Sequence, residues 1–519
     1  MTDSNGTPRT GLWLALALLP WSAGMVCFFY ARGWLLYYGD AEAHLNAARR
    51  IFDSGLPGMQ QIGPPWLPLP HLLMLPLLRN DWLWRTGLGG AIPPALCFVA
   101  AALFLYAAAR RVFHSAPAGL AAAALFALNP NMLYLQSIPM TEAVFAAALA
   151  ALLYFSVRFR ETQGWGALLG AGLAALAGSL TRYEGWFVLP FAAAYFFAAA
   201  KRRKLAAALA FSILAGLGPL WWLFQNWWVT GDALAFYRGP YSARAIQGGK
   251  PYPGEQNWRM AWLYYSTAAR LCAGPWLAIL AALGTLAALA KRAFWPLLLL
   301  ALPAVFYVWS LHSGSTPIYV PELWPHTAYN TRYGIAALPL LAFAAAALVA
   351  LAPPRAAGLA AVLVALGGAG YWLAHPSADR WTIFAEARSN SEGRRAGLNQ
   401  AAAFLSRHYR RGSGLITSGG DDFAGIYRQM GIPLRETFNI CYDLPWFATL
   451  RRPDLWMYYE WAVVERGDPV DEAVRLAAKA GIRYDLELTI LNKREPAIDI
   501  YRLSAGPHSP AMPPAPSTP

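Results

Sequence analysis

Charge is what this sequence has least of. Only 13% of its 519 residues are Asp, Glu, Lys or Arg, where a soluble domain carries roughly 25%. Hydrophobic residues make up 57%, and mean hydropathy is positive. That balance excludes an ordinary soluble chain and leaves a polytopic membrane protein. Cysteine is scarce too. Cys27, Cys97 and Cys272 lie in or beside apolar runs, and Cys441 stands alone in a polar region, so there is no disulfide framework, no Cys-x-x-Cys and no metal-ligand spacing. Acids are in deficit, 28 against 42 Lys and Arg, for a formal net charge of +14. In a soluble protein this would suggest nucleic acid. No basic stripe with interleaved aromatics lies outside the apolar runs, so nucleic acid is set aside as a partner.

What the sequence does have is long apolar runs. Crossing a bilayer core takes about 20 mostly apolar residues. The candidate runs are 11–31, 87–109, 117–135, 142–157, 164–181, 186–200, 205–229, 271–290, 293–311, 334–352 and 356–374. Met1 to Thr10 is short and polar and the first run lacks a small-residue cleavage site, so it reads as a retained span. Arg110-Arg111, Arg158 with Arg160, Lys201 to Lys204, Lys291-Arg292 and Arg355 all fall on one side if the N-terminus is cytoplasmic. The positive-inside rule then predicts about eleven spans, N-in and C-out. Residues 1–375 form the transmembrane domain, with a first outer loop at 32–86 and a long outer loop at 230–270.

Within the first loop, Ala41 to Ser54 reads as a short helix capped by Asp40 and stopped by Gly55. Its spacing suits an amphipathic helix lying on the membrane. Pro70–Leu78 reads as a second interfacial or re-entrant helix. The 230–270 loop holds Tyr237, Arg238, Tyr241, Arg244, Lys250, Tyr252 and Trp258 around Gly248-Gly249, and is either a lid or a rigid connection. Beyond 376, charge rises and short apolar runs alternate with helical patterns. Helices are expected over 396–409, 421–430 and 468–480. Strands are expected near 414–417, 461–464, 484–491 and 497–503, the last two joined through Asn492-Lys493-Arg494. This predicts a small extracytoplasmic α/β domain over 376–504. The Pro/Ser-rich stretch 505–519 is expected to be disordered.

The chemistry-bearing residues collect at the outer ends of spans. Asp40, Glu42 and His44 follow the first run, Glu142 opens another in Thr141-Glu142, and Arg182 and Glu184 sit in Thr181-Arg182-Tyr183-Glu184-Gly185. Arg332-Tyr333 enters a late run. Ionisable groups at such depths are costly, which marks them as functional candidates. Moving a sugar onto a hydroxyl needs a carboxylate to take the acceptor's proton. It also needs cations for the departing phosphate, a task suited to arginine's two-pronged fork. The plainer alternatives are a salt bridge closing the Arg182–Glu184 turn and lipid-headgroup snorkelling for Arg332. His44 and His71 suit packed, hydrogen-bonded histidines as well as a site.

The order of these motifs resembles the C-type glycosyltransferases, in particular the branch of protein mannosyltransferases and aminoarabinose transferases (glycosyltransferase family 39-like). The similarity rests on Gly39-Asp40-Ala41-Glu42 with Ala47-Ala48-Arg49 and Gly55, on Pro64-Pro65-Trp66-Leu67-Pro68, and on Thr141-Glu142, Thr181 to Gly185 and Arg332-Tyr333. It covers residues 10–375. Two departures stand out: Asp-x-Glu replaces an adjacent Asp-Glu, and Tyr183 stands where proline is common. The resemblance implies a polytopic helical bundle that transfers sugar from a polyprenyl-phosphate donor to a lipid, glycan or protein acceptor outside the cytoplasmic membrane, with inversion. It makes Asp40 the general base, with Glu42 and Glu142 orienting the acceptor or a divalent cation such as Mg or Mn. Arg182 and Arg332 would hold the donor phosphate, with Glu184, Tyr333 and His44 beside it. Asp40 and Glu142 are the residues that would hold a metal ion, if one is used. The competing readings are a flippase of lipid-linked sugars, which would show inverted repeats and broken mid-membrane helices, and a non-catalytic scaffold.

Overall fold

The computed structural model describes residues 8–314, 317–419, 423–492 and 496–505. The expected disordered tail after Ala505, the turn at Lys493-Arg494, the start of the 421–430 helix and the first seven residues lie outside these. The chain begins with α1 (Pro8–Ala31), α2 (Gly39–Arg50), α3 (Leu69–Leu78), α4 (Asp81–Thr86) and α5 (Leu88–Val112). Next come α6 (Ala116–Ala127), α7 (Pro130–Gln136), α8 (Glu142–Thr162), α9 (Trp165–Ser179), α10 (Tyr183–Ala199) and α11 (Lys204–Thr230). After two short helices follow α12 (Trp258–Ala273), α13 (Pro275–Ala290), α14 (Trp295–His312), α15 (Thr331–Leu351, starting and ending in 3-10 turns) and α16 (Ala357–Ala374). The polar end holds α17 (Thr382–His408), α18 (Ala424–Met430), α19 (Leu444–Arg451) and α20 (Pro469–Lys479). Its strands are β1 (Leu415–Thr417), β2 (Thr437–Phe438), β3 (Trp461–Glu465), β4 (Arg483–Ile490) and β5 (Ile498–Ala505).

Every expected apolar run is helical. Among the described residues, seven helices are long and apolar enough to cross a membrane alone, and nine if each of two bent pairs counts as one. The bends have local causes. Asn129 caps α7 by accepting from the Met132 N–H at 3.0 Å, and Pro130 cannot continue α6, so the pair turns by 69°. Gly274-Pro275 breaks α12 from α13, which meet at 107°. Prolines inside α10, α11 and α14 are tolerated, because packed neighbours can satisfy the freed backbone groups in a membrane.

The chain forms two compact units. One contains residues 1–35, 64–74 and 90–386, and the other 36–63, 75–89 and 387–519. In the first unit α8 packs on α9, α9 and α10 on α11, and α12 and α13 on α15. Small residues permit the closest approaches. A Cβ on Gly185 would meet the Gly178 carbonyl oxygen at 2.5 Å, and one on Gly334 would meet the Ala268 carbonyl at 2.4 Å.

The second unit carries a five-stranded sheet in the order β2-β1-β3-β5-β4. β1 runs parallel to β2 and β3, whereas β5 is antiparallel to β3 and β4. This is the expected α/β domain with one strand more, since two-residue β2 is too short to leave a pattern. The core joins Ile416, Phe438, Ala462 and Val464 to Val470, Ala473, Val474 and Ala477 of α20, whose spacing makes one apolar helix face. Asp468 caps α20 by accepting from the Asp471 N–H at 2.8 Å.

Helix α2 corrects one expectation. Its acids fall in the first turn and Arg49 and Arg50 in the last, which suits the helix dipole. Ala41 through Arg50 are all buried, so α2 does not expose the one polar face expected of an amphipathic surface helix. Arg49 is its anchor. Its Nε donates to Asp53 at 2.9 Å and its Nη2 to Asp81 at 2.6 Å, while the guanidinium lies over Trp84 at 4.8 Å. Asp40 sits inside the first turn rather than capping it; Tyr38 precedes the helix and makes no side-chain cap.

Candidate active site

Glu142, Arg182, Glu184, Arg332 and Tyr333, expected from separate motifs, meet in one cluster of the first unit. Each is placed by the start of a helix. Glu142 is the first residue of α8, Arg182 immediately precedes α10 with Glu184 in its first turn, and Arg332 and Tyr333 lie in the opening turn of α15. Gly185 lets α10 begin directly against the end of α9. Asn330, in the left-handed region at φ 56°, turns the chain into α15 and donates to the Pro317 carbonyl at 3.1 Å. Tyr183, at the first helical position where proline is favoured, has another use. Its ring stacks on Phe236 at 5.1 Å, and its hydroxyl donates to the Pro65 carbonyl at 3.0 Å.

Arg182 is the hub. Its Nε donates to Glu184 Oε1 at 2.5 Å, and its Nη1 donates to Thr141 Oγ1 at 2.5 Å and Glu142 Oε1 at 3.1 Å. Its Nη2 donates to the Tyr307 hydroxyl of α14 at 2.5 Å. The salt-bridged turn expected as the plainer alternative is thus present, but it is one part of a larger network. Arg332 Nε lies 3.3 Å from Glu142 Oε1, and both guanidiniums lie over the Tyr333 ring, at 5.3 and 5.2 Å. Tyr333 stacks on Tyr307 at 4.9 Å, and Tyr307 on Tyr265 at 5.7 Å. Glu142 Oε2 is buried and, among the described residues, accepts no hydrogen bond.

These side chains line a narrow cleft, walled on its apolar side by Met132, Phe145, Leu149, Ile335 and Pro339. Two arginines face two glutamates, so formal charge balances. Three helix N-termini add partial positive charge, and the local field favours an anion. A divalent cation at Glu142 would have to bind through Oε2, beside two guanidiniums. Among the described residues no three His, Cys, Asp or Glu side chains form a group able to hold one.

The remaining expected residues lie on α2 or α3. Asp40 is half-buried in the first turn of α2. Glu42 is buried, with both oxygens engaged by Arg428 of α18: Nε to Oε1 at 2.8 Å and Nη2 to Oε2 at 3.3 Å. His44 is buried on the same helix. His71 of α3 is fully buried, its Nδ1 3.2 Å from the Leu67 carbonyl and its ring stacked on Trp66. The sequence reading missed Tyr307, Tyr265 and Thr141. The tyrosines stand among apolar residues, and only their hydroxyls signalled a partner; Thr141 appeared merely as Glu142's neighbour. The last third of the expected 230–270 loop is helix α12. Within the loop Tyr252 is buried, donating to the Leu311 carbonyl at 2.9 Å, and Trp258 stacks on His312 at 3.9 Å.

Residues 85–222 match the model of the dolichyl-phosphate-mannose-protein mannosyltransferase family. Among curated proteins no sequence matches the chain. Two solved structures share its fold over 92% of its length: ArnT from Cupriavidus metallidurans bound to undecaprenyl phosphate, and the same protein in the apo state. They match over 97% and 98% of their own chains, at 11% and 12% identity, with TM-scores of 0.55 and 0.54. The chain is therefore a multi-pass membrane protein with the C-type glycosyltransferase fold of ArnT, and over residues 85–222 it carries the sequence signature of the dolichyl-phosphate-mannose-protein mannosyltransferases.

Proposed function

We propose that this protein transfers a sugar from a polyprenyl-phosphate donor to an acceptor hydroxyl at the outer face of the cytoplasmic membrane, inverting the anomeric carbon. The observation that carries the proposal is the meeting of Arg182 and Arg332 at three helix starts, beside an apolar wall. A phosphate gains there from two guanidinium forks and from the helix N-termini, while the wall suits a lipid. The undecaprenyl phosphate bound to the similar ArnT supports a partner of that class.

In the proposed reaction the Asp40 carboxylate takes the acceptor's hydroxyl proton as its oxygen attacks the anomeric carbon. The bond from that carbon to the phosphate oxygen breaks, and Arg182 and Arg332 stabilise the charge gathering on the departing phosphate. Glu142, Glu184 and Tyr307 hold the arginines in place. Glu42, engaged by Arg428, positions α2 instead of acting on substrate. The acceptor is a lipid, a glycan or a protein, and Asp40 and Glu142 are the residues that would hold a divalent cation.

The test is transfer of labelled sugar in membranes supplied with a polyprenyl-phosphate sugar. Asp40→Asn should insert and fold but lose transfer; retained transfer in that variant sinks the assignment of Asp40. Wild-type membranes that carry the labelled lipid across without transferring sugar would favour the flippase.

A further inference from the structure

A second cationic site lies at the far end of α8, some 16 residues and about 24 Å along the helix from Glu142. The last turns of α5 and α8 carry Arg110, Arg111, Arg158 and Arg160 against a single acid, Glu161. Arg111 and Arg158 share one ring: each guanidinium lies 5.9 Å from the centre of Tyr154. Arg158 Nη1 donates to the Tyr154 hydroxyl at 3.1 Å, and Arg111 Nη1 donates to Glu161 Oε2 at 2.6 Å. The Nε–H groups of both arginines are buried and, among the described residues, meet no acceptor. A buried donor left unmet is costly, so two such donors beside one ring, with one acid for four cations, describe a place for an oxyanion.

The surroundings select the kind of oxyanion. Phe104 of α5 lies 5.6 Å from Tyr154 and 6.0 Å from Phe155, and the latter two rings are 5.1 Å apart. The arginines thus sit at the end of an aromatic wall running along two apolar helices. A free phosphate gains nothing from that wall. A phospholipid fits both parts, with its acyl chain along the rings and its phosphate at the guanidiniums, the level at which basic side chains meet headgroups.

We propose that Arg111, Arg158 and Tyr154 form a binding site for the phosphate of an anionic phospholipid, separate from the Arg182–Arg332 cluster. The site lies where Arg111 of α5 donates to Glu161 of α8 and Phe104 meets Tyr154. It does not depend on the transferase reading.

Thermal unfolding of the full chain in neutral detergent tests this, with titration of phosphatidylglycerol, phosphatidylcholine or inorganic phosphate. Phosphatidylglycerol should raise the unfolding temperature saturably, and the other two should not. Removing one arginine should weaken that response about fivefold, the contribution of one basic side chain at a lipid surface, and Arg111→Gln with Arg158→Gln by about 25-fold. Should the double variant not fold, Arg158→Lys keeps the charge without the Nε donor and should still bind phosphatidylglycerol more weakly than wild type. Equal stabilisation by phosphatidylcholine would overturn the proposal. So would equal stabilisation by inorganic phosphate, which would identify a free-anion site, or unchanged phosphatidylglycerol affinity in the variants.

Discussion

The Tyr307 hydroxyl bridges opposite charges: Arg182 Nη2 donates to it at 2.5 Å, and it donates in turn to Glu184 Oε1 at 2.9 Å. One phenol from α14 thereby fixes the geometry of an arginine and a glutamate from the α9–α10 turn. Tyr307→Phe keeps the ring and its stacking on Tyr333 but deletes that bridge. A hydrogen bond to a charged group contributes about 1.5–3 kcal/mol, so donor affinity should fall by about tenfold or more. Steady-state kinetics against donor concentration would read this as a raised KM with a smaller change in kcat. An unchanged KM would show that Arg182 is held without Tyr307.

The two motif glycines act through packing, not through backbone freedom. A Cβ at Gly185 would run into the Gly178 carbonyl, and one at Gly334 into the Ala268 carbonyl, whereas Gly216 of α11 has nothing within 4 Å. Gly185→Ala and Gly334→Ala should each cost about 1–3 kcal/mol through overpacking. Gly216→Ala should be neutral or slightly stabilising, because alanine is the better helix former. Unfolding temperatures of the three purified variants check the contrast.

Glu42 and Arg428 are both largely buried, with 9% and 12% of their side chains exposed. Removing one partner of a buried pair strands the other charge, so Arg428→Ala should cost about 3–5 kcal/mol. Replacing both, as Glu42→Gln with Arg428→Met, should recover most of that loss. If the doubly substituted protein is stable and still transfers sugar, Glu42 is a positioning residue. If it is stable yet inactive, Glu42 belongs to the chemistry after all.

Much of the first unit was legible in the sequence because hydrophobic runs and prolines are local signals. Glu142, Arg182 and Arg332 stood out because charge is rare there, and each marked the start of a helix. What could not be read depends on distant partners. The Glu42–Arg428 pair spans 386 positions, so the sequence left α2 looking like a surface helix when its burial comes from elsewhere in the chain. Tyr307 was hidden by the opposite effect: a tyrosine inside an apolar run resembles core until the cluster it caps is assembled. Helix α17 was expected to start near 396 and begins at Thr382, because the polar residues 388–395 separate its apolar first turn, with Ile383 and Phe384, from the periodic stretch that follows.

The central claim is that the Arg182–Arg332 cluster holds the phosphate of a polyprenyl donor. The direct measurement is binding of undecaprenyl phosphate to purified wild-type protein and to Arg332→Gln, compared with Arg452→Gln, an exposed arginine of the second unit paired with Asp454. Losing a charge-assisted contact worth about 1.5–3 kcal/mol should weaken binding by about tenfold or more in Arg332→Gln and leave it unchanged in Arg452→Gln. Equal affinity of wild type and Arg332→Gln would contradict the account.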